Sequence, residues 1–109
     1  MTEIVARRPK RAPTHPGALL REDVLPAANI SVSAAARALG VSRQTLHSLL
    51  REQTVVTPAM AVRLAALFGT SPDLWLGMQG AHDLWHAQRA LTNEVRKISA
   101  NRVSAAAAA

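Results

Sequence analysis

Arg43, Gln44, His47, Ser48 and Arg51 recur at the spacing that places them on one side of an α-helix, while Leu46, Leu49 and Leu50 take the other side. The polar set suits reading a DNA duplex rather than making or breaking bonds. An arginine guanidinium can bond guanine O6 and N7 together, and a glutamine amide can do the same for adenine N6 and N7. Serine and threonine hydroxyls, with the N–H groups at a helix start, suit phosphate oxygens. The competing reading is an amphipathic helix with a merely solvated polar face.

The residues that must position this face favour the DNA reading. The stretch SVSAAARALGVSRQTLHSLLR, residues 31–51, reads as two short helices joined by a tight turn. Ser31 can cap the first helix, Val32, Ala35, Ala36 and Leu39 line its apolar side, and Gly40 allows the backbone to stop it. Val41 then enters the core and Ser42 caps the second helix. Ala36 is small where the two helices must cross closely. This is the pattern of a helix-turn-helix, whose second helix enters the major groove.

The other residues with chemical potential do not assemble a catalytic site. His82 and His86 stand one helical turn apart, a spacing compatible with zinc, but Asp83 replaces the glutamate of the HExxH form and no third ligand is apparent. His15 lies beside a His-Pro-Gly turn and reads as structural or solvated. There is no phosphate-binding glycine loop, no nucleophile elbow and no Ser-His-Asp set on separate elements. The chain reads as no enzyme, with no cofactor and no metal.

Composition agrees. The chain has 109 residues, 13 Lys and Arg against 7 Asp and Glu, and a formal charge of +6, a balance that suits a polyanionic partner. Its length fits one domain with a modest core. With 49% hydrophobic and 3% aromatic residues, and no β-type alternation, it reads as all-α. The absence of cysteine excludes a disulfide framework. No apolar run approaches a membrane span and the N-terminus lacks a signal peptide's hydrophobic segment, so the expectation is a cytoplasmic protein without a membrane partner.

In chain order, residues 1–14 carry Arg7, Arg8, Lys10 and Arg11 around Pro9 and Pro13 and read as a flexible basic arm. Whether it is solvated or reaches DNA or a partner protein stays open. A first helix is expected from Ala18 to Leu25, ended by Pro26. After the hairpin, residues 52–56 form a loop in which Gln53 or Thr54 could touch phosphate. Thr57-Pro58 starts a helix that Gly69 ends, and Ser71-Pro72 starts the last one. This last helix is expected to run towards Ile98, with Gly77 and Gly80 able to kink it. Its apolar positions exceed what a small core needs. Trp75 reads as core, whereas Trp85, Leu91 and Val95 read as a seam against a second copy. The reading is therefore a basic arm at 1–14, one domain at 15–99, and a low-complexity tail at 100–109.

From His15 to Gln88 the chain resembles the HigA-type antitoxins, within the phage-repressor-like helix-turn-helix class. The resemblance rests on THPGALLREDVL, ALGVSRQTLHSLL, TPAMAVRLAALFGTSPDLWL and MQGAHDLW in succession. It implies a five-helix domain with an extended C-terminal helix that dimerises, binds operator DNA ahead of its own operon, and neutralises a RelE-like toxin that cleaves mRNA. By position, Arg43, Gln44, His47 and Ser48 match base-reading residues, and Ser33, Ser42 and Thr45 match residues close to phosphates. The alternative is a stand-alone transcription regulator without a toxin partner.

Overall fold

A computed structural model of the chain describes residues 11–104; Arg7, Arg8 and Lys10 of the basic arm and the alanine run at 105–109 lie outside the described residues. The described chain is all-helical. Four successive helices begin with the same short-range bond. The hydroxyl of Ser31 accepts from the Ala34 N–H at 3.1 Å, Ser42 from Thr45 at 3.0 Å, Thr57 from Met60 at 3.2 Å and Ser71 from Leu74 at 3.2 Å. Each satisfies a backbone donor that the helix leaves without a partner. The helices so started are α2 (Val32–Leu39), α3 (Arg43–Leu50), α4 (Pro58–Phe68) and α5 (Pro72–Ala90). Gly40 at φ 75° and Gly69 at φ 69° close α2 and α4 in the left-handed conformation that glycine adopts without strain.

The first helix, α1, differs from expectation. It comprises a turn at Pro16–Leu19, a π-helical turn at Leu20–Val24 and a last turn at Leu25–Ala28. Pro26 therefore does not end it. A proline in a helix lacks an N–H and crowds the carbonyl one turn earlier, but here the preceding turn is widened, with the Leu25 N–H bonded to the Leu20 carbonyl. The ring fits and the helix passes through, stopping at Asn29, whose φ is 52°.

The C-terminal region departs in a second way. Gly77 and Gly80 interrupt nothing, and the break falls instead at Leu91, after which α6 covers Thr92–Ala100. At the break the Thr92 hydroxyl donates to the carbonyls of Gln88 at 3.0 Å and Arg89 at 3.1 Å, a local bond that competes with the helix ladder. The described residues thus hold six helices where five were expected.

The core sits where α1 to α4 and the start of α5 meet. Leu20, Ala35, Leu46, Ala61 and Leu64 are fully enclosed and Trp75 is 1% exposed. The indole N–H of Trp75 donates to Thr70 Oγ1 at 2.7 Å, so its polar atom is satisfied inside the core. Among the described residues no helix is long and apolar enough to cross a membrane.

Candidate nucleic-acid interface

Helix α3 is anchored by Leu46, Leu49 and Leu50, all buried, which leaves Arg43, Gln44 and Thr45 exposed and His47 and Ser48 half-exposed on its outer side. Ser42 and Arg51, at its two ends, are exposed as well, and Ser33 is half-buried on α2. The structure therefore brings Ser42, Arg43, Gln44, Thr45, His47, Ser48 and Arg51 onto one helix and its ends. The Ser42 hydroxyl also donates to Thr45 Oγ1 at 2.8 Å, orienting both hydroxyls at the start of the helix. No acid occurs between Asp23 and Glu52. Glu52 itself is engaged by Arg21 at 3.3 Å, so the outer face of α3 keeps its positive potential.

Contacts from outside the hairpin fix the pose of α3. Gly17 of α1 lies so close to the end of α3 that a Cβ there would fall inside the Leu49 carbonyl oxygen. A second contact comes from Arg21, whose guanidinium donates to the Leu50 carbonyl and bridges Glu52. On the other helix of the pair, Arg63 reaches from α4 and donates to the Leu39 carbonyl at 2.7 Å. Two arginines from flanking helices thus satisfy carbonyls at the ends of α3 and α2, where a helix leaves them without partners and where its dipole favours a cation. Neither role is legible in the sequence, because the bonded residues lie far apart along it.

The loop after α3 is pinned in the same manner. Gln79 of α5 is 4% exposed; its Oε1 accepts from the Val56 N–H at 2.9 Å and its amide donates to Asp83 at 3.0 Å. His15 is also buried. Its Nδ1 accepts from the Gly17 N–H at 2.9 Å, capping α1, and its ring faces the Thr54 backbone. Burial pushes the His15 imidazole pKa below its ordinary 6.5, the nearby His82 adds to this, and Glu52, Thr54 and Asp83 oppose it. The Gln79 amide stands one turn after the buried Trp75, and a polar residue on that face is the signal that could have exposed it.

His82 and His86 do sit together, with ring centroids 4.6 Å apart, and His82 also packs edge-on against His15 at 4.9 Å. The His82 ring lies 3.2 Å from Asp83. Among the described residues no group of three or more His, Cys, Asp or Glu side chains is arranged to hold a metal ion. Of the residues expected to form a seam, Leu91 and Val95 are 48% and 50% exposed, and Leu84 and Ile98 are exposed by 58% and 70% as well. Trp85 is placed differently: it is half-buried, with the Arg89 guanidinium 4.7 Å from its ring centre and His86 against its edge.

The comparisons with known proteins bear on this geometry. Residues 20–75 match the helix-turn-helix family HTH_3. Antitoxin HigA-1 of Vibrio cholerae serotype O1 is 34% identical over 90 residues, which is 83% of this chain and 85% of the relative. The Pseudomonas aeruginosa antitoxin HigA, solved with the higBA promoter, superposes with a TM-score of 0.72 at 38% identity, covering 76% of this chain and 90% of that one. Antitoxin GraA in complex with its operator gives a TM-score of 0.75 at 37% identity, over 84% of this chain and 92% of that one. The match begins in α1 and ends at Trp75, the same elements that hold α3 in place, and the likeness to the antitoxins continues beyond it: the chain belongs to the helix-turn-helix family and, within it, to the HigA-type antitoxins.

Proposed function

We propose that this chain is a DNA-binding antitoxin that represses its own operon and neutralises a RelE-like, mRNA-cleaving toxin. The observation that carries the DNA reading is the outer face of α3, cationic, free of acids, and set on a helix whose other side is locked into the core. In this reading Arg43 and Gln44 meet base edges, with His47 and Ser48 beside them, while Ser33, Ser42, Thr45 and Arg51 lie along phosphates. Kinship with antitoxins solved on operator and promoter DNA supports it.

The protein acts as a two-fold dimer, because one recognition helix makes few contacts and paired half-sites roughly 34 Å apart suit a symmetric reader. The exposed apolar row on α5 and α6 is the proposed seam. Leu84, Leu91, Val95 and Ile98 follow one another at seven-, four- and three-residue steps, all more than 40% exposed. Trp85, half-buried next to Leu84, belongs to the proposed seam with Leu91 and Val95.

Two measurements test the proposal. The full chain should retard DNA taken from ahead of its own gene, with affinity falling steeply as salt rises, and Arg43→Ala should weaken that binding while sparing non-specific DNA. Co-expression with the adjacent open reading frame should yield a stable complex in which mRNA cleavage is silenced. Operator binding without any such complex would leave a stand-alone regulator, and binding to neither would overturn the proposal.

A further inference from the structure

Val55 is 53% exposed, while its neighbour Val56 is 3% exposed. The difference is built into the loop. The Val56 side chain is in the core and its N–H is held by Gln79 at 2.9 Å; on the other side, the Thr54 backbone faces the buried His15 ring. Val55 is thus presented outward next to an anchored residue. It lines a groove of about 410 Å³ together with Gln44, Ser48 and Thr54, so an apolar group stands among the polar residues proposed to face DNA.

On the base edges of the major groove, the apolar feature is the thymine C5-methyl group; the remaining features are hydrogen-bond donors and acceptors. An isopropyl group held at the edge of that groove gains by meeting a methyl and loses by meeting a desolvated polar edge. We infer that Val55 is a specificity-determining residue that reads a thymine through its C5-methyl group, beside the bases met by Gln44 and Ser48. This inference rests on the operator-binding reading above and adds a residue outside α3 to the base-reading set.

The test uses the full chain and the upstream DNA segment it protects, with each thymine in turn replaced by deoxyuridine, which removes only the methyl group. At one or more thymines the replacement should weaken wild-type binding by about fourfold, the scale of one buried methyl group. Val55→Ala should bind the thymine and deoxyuridine forms of that position equally, while keeping the wild-type response at other thymines. Val55→Thr, which retains one methyl, should fall between. Because Val55 is exposed, both variants should unfold at the wild-type urea midpoint. A Val55→Ala protein with the wild-type thymine preference at every position overturns the inference alone, as does a wild type indifferent to deoxyuridine throughout. A wild type that retards no upstream DNA overturns the operator reading and this inference with it.

Discussion

Helices α3 and α6 carry similar apolar spacing and meet opposite fates. In α3, Leu46 and Leu49 are 0% and 1% exposed; in α6, Val95 and Ile98 are 50% and 70% exposed. The apolar face of α3 is filled by the chain's own core, so what it leaves outside is polar and cationic. The face of α6 meets no counterpart among the described residues, and what it leaves outside is apolar. The exposed chemistry of each helix therefore describes the partner it suits: a polyanion for α3, another apolar helix face for α6. Each aliphatic side chain covered at such a seam contributes about 1.5–3 kcal/mol, which makes a shared seam the economical way to cover several at once.

The contrast can be broken from the side of α3. Gly17→Ala should have the largest effect, because the added methyl group collides with the Leu49 carbonyl and must push α1 away from α3. A loss of about 3 kcal/mol is expected from overpacking against backbone, read as the urea midpoint. The same change at Gly80, where a Cβ meets nothing within 4 Å, should instead be neutral or slightly stabilising. Equal effects at the two glycines would mean that α1 does not fix α3 as described.

It can be broken from the side of α6 with the opposite signature. Leu91→Asp should shift the sedimenting species from dimer to monomer, weakening association by about thirtyfold or more, since it places a charge in an apolar seam. Monomer unfolding should barely change, because Leu91 is already 48% exposed. Sedimentation unaffected by the change would move the seam elsewhere.

A smaller effect sharpens how the two helices of the hairpin are held. Arg63→Ala should leave the Leu39 carbonyl without its 2.7 Å partner, at a cost of about 1–2 kcal/mol. The loss should be similar with and without DNA, in contrast to substitutions on the outer face of α3.

The smallest effect concerns pH. The folded-state pKa of His15 lies below its ordinary 6.5, so protonation favours the unfolded chain. The stability tied to the neutral ring is whole above about pH 6.5 and is lost as pH falls through the lowered folded value. His15→Asn keeps an N-cap acceptor and removes the titration. The wild-type unfolding temperature should therefore fall more steeply between about pH 7 and about pH 5 than that of the variant; identical slopes would assign the acid sensitivity to another group.

Much of this protein follows from contacts between residues close in sequence. Ser31, Ser42, Thr57 and Ser71 each bond an N–H three residues on, and Gly40 and Gly69 stop their helices by their own backbone freedom. These signals act within one turn, so they can be read without knowing the fold, and with them come the hairpin and the polar face of α3. The passage of α1 through Pro26 was not legible, because an interior proline ordinarily ends a helix and it is the widened turn at Leu20–Val24 that accommodates the ring. Nor were the roles of Gly17, Arg21, Arg63 and Gln79, whose partners lie 23 to 32 residues away in sequence. Such contacts exist only once the helices are docked: the sequence by itself determined where helices start and which faces they carry, and tertiary packing decided which backbone groups each long side chain reaches and how firmly α3 is held.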